Sequence, residues 1–140
     1  MSLSAIPKTI RKQVIERDER RCRYCGLAQL GQAAVFHVNH IVPKSRGGLT
    51  EEANLALQCP YCSLHKSDKI TATDSWNGGT VSLFDPLRQS WDEHFQLNAS
   101  GVLDGKTPTG RATIEALRMN DALPRIARTV QIALGFLTPT

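Results

Sequence analysis

The sequence predicts a one-domain α+β fold on three observations: a basic amphipathic segment near its start, short apolar runs set off by glycine turns, and four cysteines in two matched pairs. Its 140 residues, 41% of them hydrophobic, suffice for one modest core, so residues 1–140 are read as a single unit. The formal charge of +4 suits a polyanionic partner such as nucleic acid without demanding one. No apolar run is long enough to span a bilayer, and Met1-Ser2-Leu3-Ser4 lacks the charged and apolar zones of a signal peptide. A soluble, cytoplasmic protein without membrane contact is expected.

The first element follows from Ile6, Ile10 and Val14, which recur every fourth residue after an early Pro7 and give a helix with a basic outer face. Strands are expected from about Ala33 to Asn39 and over Val81-Ser82-Leu83-Phe84, with Gly47-Gly48 as the clearest turn between them. Asn77-Gly78-Gly79 marks another turn, and Phe95-Gln96-Leu97 and Val102-Leu103 complete a small antiparallel extension. Two helices close the chain. In the second, Leu123, Ile126, Ala127, Val130 and Leu134 form one stripe, Asp121 and Pro124 suit its start, and Gly135 suits its stop. That stripe is expected to face the core.

Cys22-Arg23-Tyr24-Cys25 and Cys59-Pro60-Tyr61-Cys62 have the spacing of two knuckles that each give two thiolates to one tetrahedral metal. Zinc fits better than an iron-sulfur cluster, a disulfide pair or a redox Cys-x-x-Cys. Four thiolates leave no open coordination position for water, so the metal is structural.

Between the knuckles stands His37-Val38-Asn39-His40-Ile41-Val42-Pro43-Lys44-Ser45-Arg46-Gly47-Gly48, then Asn54-Leu55-Ala56-Leu57, then Ser63-Leu64-His65-Lys66 after the last cysteine. Over about residues 10–70 this resembles the HNH endonucleases, whose pattern has an acidic residue and His before Ile-x-Pro, a Gly-Gly turn, Asn-Leu, and a Cys-x-x-Cys followed by His or Asn. Leu83-Phe84-Asp85-Pro86-Leu87-Arg88, Trp91-Asp92-Glu93-His94-Phe95 and Thr107-Pro108-Thr109-Gly110-Arg111 are similar to a bacterial single-domain subfamily, which extends the likeness through residues 75–140.

The resemblance implies a ββα-metal (His-Me finger) core that hydrolyses phosphodiester bonds in DNA, with His40 as general base and Asn54 as the residue holding it in orientation. An imidazole suits the first task because its ordinary pKa lies near neutrality. It also implies a catalytic divalent metal, Mg²⁺, Mn²⁺ or another transition ion, at Asn39 and Ser63. Here the chain departs from the pattern, with Asn39 where the family has a carboxylate and Ser63 where it has His or Asn. His37, two residues from Asn39 on the same strand face, is the expected substitute ligand. Such a donor set favours a transition ion over magnesium. The rival expectation is a nucleic-acid-binding zinc module whose HNH site is inactive.

Lys44, Arg46 and Lys66 are the expected phosphate contacts, against the blander reading of a solvated basic face. His65 is expected near the zinc knuckle or a phosphate, while Trp76, Trp91 and His94 are expected to pack. DNA is the expected partner, with RNA left open. A lone module nicks one strand, and double-strand cleavage requires a homodimer or two events.

Overall fold

The computed structural model describes residues 6–140. Helix α1 (Lys8–Arg17) buries Val14 and ends at Asp18, whose carboxylate reaches well beyond its own helix. The chain then turns through the first cysteine pair and runs irregularly to β1 (His37–His40). The expected strand over residues 33–36 is absent. Phe36 is buried there, its N–H donating to Gln29 Oε1.

β1 pairs antiparallel with β2 (Leu55–Gln58), in the register His37 to Gln58 and His40 to Leu55. β2 was not foreseen as the partner strand. All four of its residues are buried, so it lacks the in-out alternation that marks a strand with one wet face. Helix α2 (Pro60–Lys66) follows at once and packs on both strands, with Pro60 at its first turn and Cys59 Sγ accepting from Cys62 N–H.

A second hairpin joins β3 (Thr71–Thr73) to β4 (Thr80–Ser82) through the Asn77-Gly78-Gly79 turn, where Gly78 takes φ +72°. A third joins β5 (Phe95–Leu97), preceded by the single turn α3 (Trp91–His94), to β6 (Leu103–Gly105). Helices α4 (Pro108–Ala116) and α5 (Ala122–Ala133) complete the α+β architecture. One buried cluster runs from Val14 through the cysteines and Leu55 to Phe84, Phe95, Leu103 and Met119.

Two buried carboxylates bind distant segments to this frame. Asp18, 3% exposed, accepts from Arg17, Arg23 and the N–H of Leu57, which ties α1 to β2. Asp74, fully buried, accepts two bonds from Arg111 of α4, and the Arg111 guanidinium stacks over Trp76 at 4.1 Å. Those bonds hold the Asp74 carboxyl below its usual range.

The stripe on α5 corrects the expectation from its periodicity. Leu123, Ile126, Val130 and Leu134 face solvent, while Pro124, Arg128 and Gln131 are buried. Polar side chains take the inner face because they satisfy backbone groups of two neighbouring loops. Among the described residues no helix is long and apolar enough to cross a membrane.

Candidate active site and metal centre

Cys22, Cys25, Cys59 and Cys62 are buried, and their sulfurs lie within 4.8 Å of one another. The separation of Cys25 and Cys59 is 3.8 Å, far beyond the ~2.05 Å of a disulfide. It equals the edge of a tetrahedron whose metal–sulfur bonds are ~2.3 Å, so the cluster fits a tetrahedral metal such as zinc. Cys25 N–H points at Cys22 Sγ and Cys62 N–H at Cys59 Sγ, the amide-to-sulfur bonds that favour thiolate. Burial raises the Cys22 pKa, but hydrogen bonds from Cys25, Cys59 and Cys62 outweigh it and hold this thiol well below its usual value. Cys59 and Cys62 are raised, chiefly by donating to Cys22 and Cys25.

The loop between β1 and β2 is shaped by Asn54. Its Oδ1 accepts from Val42 N–H at 2.9 Å, and its Nδ2 donates to the carbonyls of Val42 at 3.0 Å and Leu49 at 2.9 Å. Gly48 lets the loop close, because a Cβ there would lie 1.7 Å from the Val42 oxygen. The result returns Thr50 to His40, whose Nε2 is 2.8 Å from Thr50 Oγ1. Partial burial, with Lys44 and Lys66 nearby, holds His40 below the ordinary histidine pKa. The ring is therefore neutral at physiological pH. In the tautomer whose Nε2–H donates to Thr50, Nδ1 keeps its lone pair.

Asn39, His40, Pro43, Lys44, Gln58, Ser63 and Ser67 line a cleft of about 400 Å³ together with Ile6. Beside it, Asn39 Nδ2 donates to Ser63 Oγ, and His37 Nδ1 lies 3.2 Å from the same hydroxyl. The three expected ligands thus meet, with Ser63 relaying between amide and imidazole. Among the described residues no carboxylate lines the cleft. This donor set does not fit a hard magnesium ion, whereas imidazole and amide oxygen fit a transition ion once the Asn39 amide turns to present Oδ1.

Gln58 was missed by sequence reasoning. It is 1% exposed, lines the cleft, and its Nε2 has no partner. A buried amide N–H without an acceptor is costly, and once turned toward the cleft it would be satisfied by an anionic oxygen there. Its position as the last residue of β2, just before Cys59, was the available signal.

Lys66 is not placed where a phosphate contact needs it. It is 2% exposed, and its ammonium donates to the carbonyls of Ile41 at 2.9 Å and His40 at 3.4 Å. Burial lowers its pKa to about 8. Lys44 and Arg46 are exposed, Lys44 at the cleft and Arg46 with Nε on the Asp68 carbonyl. His65 lies tilted against the Tyr61 ring, centroids 4.5 Å apart, and bonds the Tyr61 carbonyl, next to the second knuckle. Trp91 and His94 pack as expected, Trp91 donating to Tyr24 C=O and His94 meeting Thr107, whereas Trp76 is 79% exposed beneath Arg111. A larger cavity of about 700 Å³, lined by Arg21, Trp91 and Leu137 among others, shares no residue with the cleft.

Residues 22–69, which carry both knuckles, the Asn54 loop and every cleft-lining residue but Ile6, match the HNH endonuclease family. No curated protein and no solved structure matches the chain.

Proposed function

Taking the HNH endonuclease match of residues 22–69 as premise, we propose that the chain is a DNA endonuclease whose ββα-metal unit is β1, β2 and α2, stapled by zinc at the four cysteines. The observation that carries the reading is His40, a neutral imidazole fixed by Thr50 at the cleft, with a lone pair left to take a proton.

In the reaction a water oxygen attacks the scissile phosphorus and passes a proton to His40 Nδ1. The new phosphorus–oxygen bond forms as the bond to the departing sugar oxygen breaks. Asn54 acts through the loop, fixing Val42 and Leu49 so that Thr50 meets the ring. Gln58 Nε2 donates to a non-bridging phosphate oxygen, and Lys44 and Arg46 contact flanking phosphates. A divalent transition ion held by His37, Asn39 and Ser63 would offset charge on the phosphate and the leaving oxygen.

A second reading, a nucleic-acid-binding module with an inactive site, is favoured by one observation. The Asn39 amide is engaged with Ser63, and no carboxylate among the described residues lines the cleft. Supercoiled plasmid and a matched RNA, incubated with the protein and magnesium, manganese, nickel or zinc, separate the two. Nicking that needs metal and disappears in His40→Ala supports the nuclease. Inert wild type with every metal, and activity gained in Asn39→Asp, establishes the binding module instead.

A further inference from the structure

Helix α5 turns its polar face inward. Arg128, fully buried, donates Nε to the Gly101 carbonyl at 2.8 Å and Nη2 to the Met119 carbonyl at 2.7 Å. Gln131, 2% exposed, accepts from Ala28 N–H and donates to Ala28 C=O, at 2.8 and 2.7 Å, as a paired strand would. These bonds anchor the helix to the first knuckle and to the β5–β6 turn. Its apolar side is left to solvent, with Leu123 71%, Ile126 59%, Val130 51% and Leu134 61% exposed. At about 100° per residue the four fall within about 80° of arc, so they form one stripe.

No charged residue interrupts that stripe, and the exposed Ala122 and Ala133 flank it, allowing another backbone close approach. Leu30, 63% exposed, is tied to the same helix through its carbonyl, which accepts from Gln131 Nε2. The four stripe residues expose roughly 400 Å² per copy, within the range of the largest patch on a monomer. Doubled and given a rim, that area reaches the roughly 1,200–2,000 Å² of a stable interface.

We infer that α5 is the contact of a homodimer, packing against α5 of a second copy. The stripe is self-complementary. In an antiparallel pair about a two-fold axis near Arg128, Leu123 meets the second copy's Leu134 and Ile126 meets its Val130, which is what an isologous interface requires. None of the stripe residues lines the cleft, and the test reads mass rather than cleavage.

Sedimentation velocity on the full chain at tens of micromolar should show a dimer. Ile126→Glu and Val130→Arg should each weaken association at least about tenfold, with circular dichroism and zinc content unchanged because both sites are exposed. An equimolar mixture of the two variants should restore the dimer, since the carboxylate introduced at 126 then faces the guanidinium introduced at 130. A monomeric wild type, single variants that still dimerise, or a mixture that stays monomeric would each overturn the inference.

Discussion

Asn54 and Val42 hold each other through two hydrogen bonds, the side-chain amide of one serving both the N–H and the C=O of the other, at 2.9 and 3.0 Å. The amide thus pairs with a loop residue as a neighbouring strand would. Asn54→Asp keeps the acceptor but loses two donations and sets a carboxylate against two carbonyls. A loss of about 1–3 kcal/mol is expected in urea unfolding, with DNA nicking reduced more than stability alone explains. Unchanged stability would mean that the clip does not hold the loop.

Gln58 should behave in the opposite way. Its orphaned N–H costs the folded state, so Gln58→Leu should leave stability equal or higher. DNA affinity, followed by fluorescence anisotropy in a His40→Ala background, should fall severalfold. Retained affinity would remove Gln58 from the phosphate.

If His40 is the base, its depressed pKa should put the acid limb of cleavage below the ordinary ~6.5 of histidine. Lys44 contributes to that depression by repelling the imidazolium. Lys44→Met should therefore move the His40 titration upward, as read by NMR of the ring protons. A downward shift, or none, would contradict this origin.

Lys66 gives a stability signature at alkaline pH. Its folded pKa of about 8 lies below the unfolded ~10.4, so between these values the unfolded chain binds more protons. Stability should rise with pH across that window, while below about pH 8, where both states hold the proton, this group adds no pH dependence. Lys66→Met should flatten the rise in urea titrations at several pH values. An identical slope in both proteins would show that the ammonium is not desolvated.

The cysteine cluster should carry about one metal per chain by elemental analysis, and cobalt substitution should give the thiolate charge-transfer bands of a four-sulfur site. Chelation should lower the melting temperature sharply, because metal binding is coupled to folding. Metal-free protein of unchanged stability would contradict the staple.

Cysteine spacing, the Gly-Gly turn and the His40 and Asn54 motifs were legible because each expresses a local requirement: a bond angle at a metal, a close approach, a fixed loop. β2 was not, since Leu55-Ala56-Leu57-Gln58 is buried throughout and its period is hidden. Lys66 read as a surface cation because charge is normally solvated, whereas two carbonyls here replace water. The α5 stripe misled for a related reason. Periodicity reports that a helix has an apolar face, and only the loops around Arg128 and Gln131 decide which face turns inward.

One peptide bond separates Gln58 at the cleft from Cys59 at the sulfur cluster, and this limits how the protein can be engineered. Small domains are commonly hardened by cross-linking their cysteines, but a disulfide would pull a pair of sulfurs now 3.8 Å apart to ~2.05 Å. The movement would pass directly into the strand that presents Gln58 and the helix that presents Ser63. A version of this chain built for oxidising conditions would therefore need its cross-link elsewhere, with the four thiols left to the metal.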